Sequence, residues 1–314
     1  MSTPRIVLTG ADQPVGLAIF NELQRHQAEL RLVELESSDD FDSQIRGATH
    51  VVHAAALVEL GLPAADYTAA NVHKTTALLD ACRQEELEQV IVVSTTETYG
   101  RRLPPWPVTE SWVPRPLGPV LQSRVAAERV ARTYRRRVPL SILRPAPVIA
   151  EGDGTLMRVI RHFISRPRAA LVARGEAPLS ILAGADLGRA AWAMVSQPEE
   201  SVDQVFHVAS AHTTWRELAV EACQLRGVEE RFWNAPYPLA RALDALRLSG
   251  WVLPEPEGVD AYISLTGRPH LIDDSRARVT LGYTPVLGVR AALAQALDVY
   301  GRGPEVNSAN AEAD

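Results

Sequence analysis

The sequence predicts an α/β protein, in which a doubly wound parallel sheet is followed by a smaller C-terminal α/β domain. Strand-like and helix-like segments alternate over the first 150 residues, a pattern typical of parallel sheets with helices on both faces. The strand-like segments are short, apolar and often β-branched, as strands buried on both faces are. The chain has 314 residues, 46% of them hydrophobic, and is therefore long enough to bury such a core.

The alternation can be followed element by element through the first domain. Predicted strands fall at 5–10, 30–35, 49–56, 90–94 and 139–145. Between them, apolar residues recur at helical spacing and predict helices at 14–26, 71–84 and 121–136. We therefore assign residues 1–150 to one domain.

After Pro145 the pattern loosens, which indicates a second unit. The segments readable there are helices at 155–164, 186–195, 213–225 and 286–300 and strands at 179–184 and 205–210. We expect residues 186–210 to return to the first domain, and residues 151–185 and 211–300 to form the second. The aromatic and proline-rich segment 231–256 is either a lid or a set of packed aromatics, and the polar residues 301–314 are predicted to be a disordered tail.

Composition excludes several classes of partner. A net charge of −6 argues against nucleic acid, whose binding surfaces are usually strongly basic. No apolar window reaches the length of a membrane span, and the first predicted strand leaves no room for a signal peptide. The two cysteines, Cys82 and Cys223, lie in apolar helical patterns, which favours buried thiols in a reducing cytoplasm over a disulfide or metal site.

The segment TGADQPVG joins the first strand to the first helix. Such a turn lets backbone N–H groups meet a pyrophosphate, and Gly10 and Gly16 fall where it needs glycine, although Gln13 takes the middle position. Glu34 ends the second strand, 18 residues after Gly16, where a carboxylate accepts hydrogen bonds from an adenosine ribose. A solvated acid at a strand end is the alternative. A bound dinucleotide is expected to be NAD rather than NADP, because Glu34 would repel a 2′-phosphate.

Several further motifs occur in an order that points to one family. They are LTGADQPVG, VVHAAA, NVHKTTALLDAC, VVSTTETYG, PVTES, SRVAAERV, ILRP, ADLGRAAWAMV, VFHVAS, TTWREL and DDSRARVTLGYTP. This set resembles the extended short-chain dehydrogenase/reductases, the NAD-dependent epimerase/dehydratase group, over about residues 5 to 300. The resemblance implies a Rossmann-type first domain that binds NAD(P) and a C-terminal domain that covers a small-molecule substrate.

The resemblance also implies a set of site residues. Four residues match the family's phosphate loop, namely Gly10, Pro14, Val15 and Gly16, whereas Gln13 departs from it. The stretch that runs along the cofactor is matched by Ala54, Ala55 and Ala56. Asn71 matches an asparagine behind the nicotinamide, and Thr95 matches the catalytic Ser/Thr that holds the substrate oxygen. Pro145 and Ala146, at the end of a strand, complete the cofactor-contacting set, although the strand end lacks the family's usual residues.

The family then has a Tyr-x-x-x-Lys pair, whose tyrosine gives or takes the proton and whose lysine lowers the pKa of that tyrosine. The matching positions are Val120 and Arg124. Valine has no titratable proton, and arginine stays protonated. Arg124 can still bind the cofactor ribose or a phosphate, so the resemblance implies an active-site helix without its acid/base.

Four other residues are candidates for the missing proton donor. Glu97, two residues after Thr95, is expected in a loop at the sheet edge, where a desolvated carboxylate has a raised pKa. A solvated or structural role for Glu97 is favoured over this one. A structural role is favoured over an acid/base role for Tyr99, His53 and His207. A further departure is the short distance of 37 residues from Gly16 to His53, which predicts that a strand and a helix beside the adenine pocket are deleted.

Three functions stay open. The first is an NAD(P)-binding protein that is non-catalytic or weakly active. The second is an enzyme with a relocated acid/base that acts on a hydroxylated small molecule such as a sugar nucleotide or a sterol-like alcohol. The third is a scaffold subunit without cofactor. The resemblance also implies a homodimer through the helices 72–84 and 121–136, with apolar contacts from Leu78, Ala126, Ala127 and Val130. The alternative is that these residues face their own sheet, since a helix has one wide apolar stripe.

Overall fold

A computed structural model describes residues 3–34, 40–59, 61–100, 102–152, 154–165, 169–240 and 266–301. Its strands are β1 (Arg5–Thr9), β2 (Glu29–Val33), β3 (His50–His53), β4 (Gln89–Val93), β5 (Leu140–Pro145), β6 (Val148–Ile149), β7 (Ala169–Val172), β8 (Pro178–Ala183), β9 (Val205–Val208), β10 (Ala211–Thr214) and β11 (Phe232–Ala235). Its α-helices are α1 (Pro14–Leu23), α2 (Phe41–Ile45), α3 (Ala64–Tyr67), α4 (Lys74–Cys82), α5 (Gly118–Thr133), α6 (Thr155–Ser165), α7 (Gly184–Val195), α8 (Pro198–Ser201), α9 (Trp215–Leu225), α10 (Ser275–Leu281) and α11 (Val289–Gly301).

Six parallel strands form the central sheet in the order β2-β1-β3-β4-β5-β9. The predicted fold class, a doubly wound parallel sheet, is confirmed. Strands β3, β4 and β5 are buried along their whole length, as strands covered by helices on both faces are. The strand order reverses between β1 and β3, and such a reversal opens a crevice for ligands at the carboxyl ends of the strands.

Each face of the sheet has its own helices. Ile6 and Leu8 of β1 pack with α1 and α7 on one face, and Val7 packs with α4 and α5 on the other. The buried, unpaired thiol of Cys82 belongs to the second of these faces. Because both faces are covered, the open part of the sheet is its edge, where the loops after β1, β3 and β4 meet.

A second hydrophobic core lies beyond the sheet. It contains a three-stranded sheet, β10-β8-β6, and a parallel pair, β11-β7, packed with α6, α9 and α11. Thr214 caps α9 in a capping box with Glu217. The segment 231–256, predicted to be a lid or a set of packed aromatics, lies outside the described residues from 241 onward, and the predicted tail lies outside them from 302 onward.

The connection from β2 to β3 is short. Strand β2 is at the edge of the central sheet, and α2, with five residues, is the element that the described part of this connection contains. Arg31 of β2 donates to the carbonyl oxygens of Gln44 and Arg46, so the edge strand is held against α2. The loss of a strand and a helix on the adenine side stays a prediction from the sequence.

Candidate functional site

The loop of residues 10–16, here called the phosphate loop, is packed too closely for side chains at its two glycines. Gly10 has φ +77°, and a Cβ on it would lie 2.5 Å from the backbone of Ala55. A Cβ on Gly16 would lie 1.9 Å from the carbonyl oxygen of Gly10. Both positions therefore require glycine, and the loop takes the tight strand–turn–helix form that brings backbone N–H groups toward a phosphate.

The start of α1 leaves backbone donors unpaired. Its hydrogen-bond ladder begins with Leu17 N–H to Gln13 O at 2.8 Å, so the N–H groups of Val15 and Gly16 lie ahead of the ladder. Pro14 is the first helical residue and has no N–H. The Gln13 side chain accepts a hydrogen bond at Oε1 from Ala56 N, at 3.2 Å.

Residues 54–58, here called the second loop, are held by Asn71. Its Oδ1 accepts from Leu57 N at 2.7 Å, and its Nδ2 donates to Leu57 O at 3.0 Å and to Ser123 Oγ at 2.9 Å. Asn71 is buried in a π-helical turn, Thr68–His73, that joins α3 to α4. The Ser123 hydroxyl donates in turn to Val120 O at 2.7 Å. Asn71 thus ties the second loop to the start of α5.

His53 has its ring nitrogens satisfied inside the core. The Thr75 hydroxyl donates to Asn71 O at 2.7 Å, so this hydroxyl accepts from His53 Nε2 at 2.8 Å. The other ring nitrogen, His53 Nδ1, accepts from Thr9 Oγ1 at 2.8 Å. Burial, aided by the charge of Arg124, lowers the pKa of His53 to about 3. His53 is therefore a neutral structural residue, as the sequence favoured.

Thr95 and Glu97 form the polar part of the crevice. Thr95 caps the 3-10 turn Thr96–Tyr99, accepting from Glu97 N at 3.2 Å, and its hydroxyl lies 3.4 Å from Glu97 Oε2. Burial raises the pKa of Glu97, while the Thr95 hydrogen bond and the charges of Arg124 and Arg158 oppose this rise. A half-buried carboxyl with a raised pKa therefore lies beside the hydroxyl that the sequence assigned to the substrate oxygen.

Val120 and Arg124 lie one turn apart on α5. Val120 is half-buried and presents no polar side-chain atom. Arg124 donates from Nη2 to Val93 O, at the end of β4, at 2.9 Å. Burial lowers the pKa of Arg124, and the charges of Glu128 and Glu97 oppose this effect. The guanidinium therefore sits at the floor of the crevice, near Thr95, but it brings no proton that it can release near neutral pH.

Tyr99 is the tyrosine nearest to Thr95 in the sequence, and its hydroxyl is hydrogen-bonded to His207 and Arg144. His207 Nδ1 donates to Asp273 O, so His207 Nε2 accepts from the Tyr99 hydroxyl at 2.6 Å, and Arg144 donates to that hydroxyl. Burial raises the pKa of Tyr99 to about 12 and lowers that of His207 to about 3. Neither side chain is placed to exchange a proton with a ligand, in agreement with the structural roles predicted for them.

The remaining predicted site residues fall into two groups. Glu34 is exposed and directly follows β2, whose last residue, Val33, pairs with Thr9, so Glu34 lies beside the phosphate loop. Pro145 and Ala146 are buried at the end of β5, and Thr96 Oγ1 donates to Pro145 O. The crevice thus gathers the phosphate loop, the second loop, Thr95 and Arg124, while Pro145 and Ala146 support it from behind.

Some features of the site carry no signal in the sequence. Arg158 of α6 acts electrostatically on Glu97 from another part of the chain, and the Ser123 hydroxyl reaches Asn71 across 52 residues. The sequence shows Gln13 as a departure from glycine, but the bond from its side chain to Ala56 depends on tertiary packing. A cavity of about 160 Å³ runs along α1 beside Leu17, Asn21 and Arg25, and it meets the predicted site at Pro14.

Two classes of site are not found among the described residues. No group of three or more His, Cys, Asp or Glu side chains there is placed to hold a metal ion. No helix in those same ranges combines the length and the apolar character needed to cross a membrane.

Comparison with known proteins identifies the family. The sequence model of the NAD dependent epimerase/dehydratase family matches residues 9–209. This match covers most of the chain, and the protein therefore belongs to that family. No curated protein matches the sequence significantly.

Solved structures share the whole fold at low identity. UDP-glucuronic acid 4-epimerase from Bacillus cereus, in complex with UDP-glucuronic acid and NAD, has a TM-score of 0.73 at 18% identity, over 94% of this chain and 98% of that one. A short-chain dehydrogenase/reductase superfamily protein from Agrobacterium tumefaciens with bound NAD has a TM-score of 0.72 at 18% identity, over 95% of this chain and 97% of that one. RMD from Pseudomonas aeruginosa, complexed with NADPH, has a TM-score of 0.73 at 17% identity, over 94% of this chain and 98% of that one.

Proposed function

We propose that this chain binds NAD(H) at the carboxyl ends of β1, β3 and β4 and takes a small hydroxylated ligand beside Thr95. The observation that carries NAD binding is the glycine cradle, in which a Cβ at Gly10 or Gly16 would overlap backbone atoms. In this proposal residues 1–150 and 186–210 hold the cofactor, while residues 151–185 and 211–300 cover the ligand. The nicotinamide, when bound, supplies a site that accepts or donates a hydride.

The chain's own residues limit the chemistry at that site. A hydride transfer between an alcohol and a carbonyl also moves a proton, and Val120 stands where the family resemblance implies a tyrosine. The Tyr99 phenol is held by Arg144 and His207. We therefore propose that Thr95 and Arg124 bind and orient the ligand and the cofactor, and that ordinary alcohol–carbonyl turnover is absent or very slow.

A second candidate function rests on Glu97. Its carboxyl group is half-buried, it lies within 3.4 Å of the Thr95 hydroxyl, and burial raises its pKa. A ligand hydroxyl on Thr95 would therefore have a carboxyl group within reach of its proton, as general acid–base catalysis requires. The protein would then be an active oxidoreductase, epimerase or dehydratase. Turnover of the wild-type chain and of Glu97→Gln, with NADH and a panel of carbonyl compounds, decides between the two functions.

The cofactor is expected to be NADH rather than NADPH. The fold does not decide this, because one similar structure holds NADPH. Glu34, beside the phosphate loop, would repel a 2′-phosphate by ~1–4 kcal/mol if the charges lie about 4 Å apart. Calorimetric titration should show NADH binding about tenfold more tightly or better, and Glu34→Gln should remove most of this difference. Tighter binding of NADPH by the wild-type chain would contradict the assignment.

We also propose a cytoplasmic homodimer paired through the helices 72–84 and 121–136. Helices α4 and α5 pack side by side on one face of the sheet. Leu78 and Ala127 are buried within the chain itself, so Ala126 and Val130, both half-buried, are the apolar contacts left for the partner. Light scattering at micromolar concentration should give about twice the chain mass of 34.3 kDa, and a monomer mass would refute the dimer.

A further inference from the structure

The side chain of Gln13 crosses from the phosphate loop to the second loop. Its Oε1 lies 3.2 Å from Ala56 N. A backbone N–H can be met only by an acceptor, so the amide oxygen faces Ala56 and the Nε2 group must point away from it. Gln13 is half-buried, and its Nε2 has no hydrogen-bond partner within the ranges of the chain that the structure describes.

The same loop lacks a donor that a helix start ordinarily provides. The first residue of α1 is Pro14, so the N–H groups ahead of the helical ladder are those of Val15 and Gly16. The neighbouring residue, Gln13, offers two further N–H groups on its side-chain amide, whose oxygen is fixed by the bond from Ala56 N. Donors that are fixed before binding hold an anion at a lower entropic cost than mobile ones.

We propose that Gln13 binds the cofactor pyrophosphate through its Nε2 group and replaces the backbone donor that Pro14 lacks. This inference rests on the proposed binding of NAD(H). Val15 N–H, Gly16 N–H and the Gln13 amide form the donor set, and the bond to Ala56 orients the amide and joins the two loops. In this proposal Gln13 contacts the pyrophosphate directly, so its presence in place of glycine does not mean that the loop has lost phosphate binding.

The experiment measures binding rather than turnover. The full-length chain is titrated calorimetrically with NADH and, separately, with ADP-ribose, which keeps the pyrophosphate and lacks the nicotinamide. Hydrogen bonds to charged groups are worth ~1.5–3 kcal/mol, so Gln13→Ala should weaken both ligands roughly 10- to 150-fold. Gln13→Glu keeps an acceptor for Ala56 N–H but places a negative charge near the phosphates, and should weaken both further. Gln13→Met, of similar length without an N–H, should behave like Gln13→Ala.

Gln24→Glu is the matched control. It makes the same chemical change at the other end of α1, where Gln24 is exposed, and should leave both affinities within about twofold because exposed charges so far apart are largely screened. Melting temperatures of all variants identify any loss of folding, and the Met variant keeps the test decisive if the Glu variant is unstable.

Three results would overturn the inference while leaving the proposed function intact. Unchanged affinity in Gln13→Ala and Gln13→Met would mean that the amide does not contact the pyrophosphate. Tighter binding would mean that the Gln13–Ala56 bond obstructs the crevice. Weaker binding of NADH but not of ADP-ribose would move the contact to the nicotinamide half. If the wild-type chain binds neither ligand, the proposed NAD binding itself fails.

Discussion

The double variant Val120→Tyr, Arg124→Lys is expected to reduce carbonyl compounds with NADH ~10²–10⁴-fold faster than the wild-type chain, the usual contribution of a positioned acid/base. Residues 120 and 124 lie one turn apart on α5, and Asn71 and Ser123 fix the backbone at the start of that helix. A phenol and an ammonium group placed there enter a crevice that already holds Thr95. Single-turnover oxidation of NADH, followed at saturating carbonyl substrate, measures the gain.

The single variants show which group matters. Arg124→Lys alone should gain nothing, because an ammonium group without a phenol has no proton donor to tune. Val120→Tyr alone should gain less than the double variant, since a permanently charged guanidinium on Val93 O replaces the smaller ammonium group. A double variant that binds NADH as tightly as the wild-type chain but gains no activity would show that residue 120 does not face the reacting carbonyl.

The wild-type rate tests the alternative at Glu97. If Glu97 gives the proton, the wild-type chain turns over briskly and Glu97→Gln abolishes the activity, whereas Glu86→Gln, an exposed control, does not. Only the protonated carboxyl can donate, so reduction should slow as pH rises through the pKa of Glu97, which burial raises. Brisk turnover that is indifferent to both Glu97 and Thr95 would place the active site elsewhere.

The central sheet was predictable because its strands are buried on both faces. Strand β4 is the clearest example, because four of its five residues are Val or Ile and a run of that length is too short for a buried helix. The second core was less predictable, because the parallel pairing of β7 with β11 joins residues about 60 positions apart and has no local signature. The helix predicted at 71–84 begins earlier, at Ala64, because a π-helical turn held by Asn71 continues it.

The candidate site likewise has features that the sequence predicts and features that depend on tertiary packing. The need for glycine at positions 10 and 16 was predictable because turn geometry constrains both positions, whereas the role of Thr95 stays a prediction from motif order. The role proposed for Gln13 has no signal in the sequence, since a departure from glycine suggests a lost contact until Ala56 N is known to lie 3.2 Å from its side chain. The buried partners of Tyr99 and Glu128 have no local signal either, because the guanidinium of Arg144 comes from β5 and the imidazole of His207 from β9.

The second large effect concerns the buried ion pair below the site. Arg144 of β5 and Glu128 of α5 form a two-pronged pair, with Nε to Oε1 at 2.9 Å, and their side chains are 3% and 4% exposed. Arg144 also donates to the Tyr99 hydroxyl. Burial alone would lower the pKa of Arg144, but the hydrogen bonds and charge of Glu128 and Tyr99 raise it above its usual value. The guanidinium is thus buried as a cation, and it depends on Glu128.

Glu128→Gln is expected to destabilise the protein by about 3–5 kcal/mol, because it leaves a buried cation without its counter-charge. This is a large share of the roughly 5–15 kcal/mol by which folded domains are stable. Urea unfolding followed by tryptophan fluorescence measures the change, with the fully buried Trp215 among the reporters. Glu221→Gln removes the acid from an exposed pair with Arg290 and should cost less than about 1 kcal/mol.

The double variant Glu128→Leu, Arg144→Met separates the value of the pair from the cost of breaking it. Two apolar side chains of similar size leave no unpaired charge, and such replacements are often neutral or stabilising by about 1–4 kcal/mol. Tyr99 keeps its bond to His207 in that variant. The double variant should therefore be more stable than either single change. If Glu128→Gln costs no more than the exposed control, the guanidinium reaches water or another acid when Glu128 is lost, and the pair is not what holds α5 against β5.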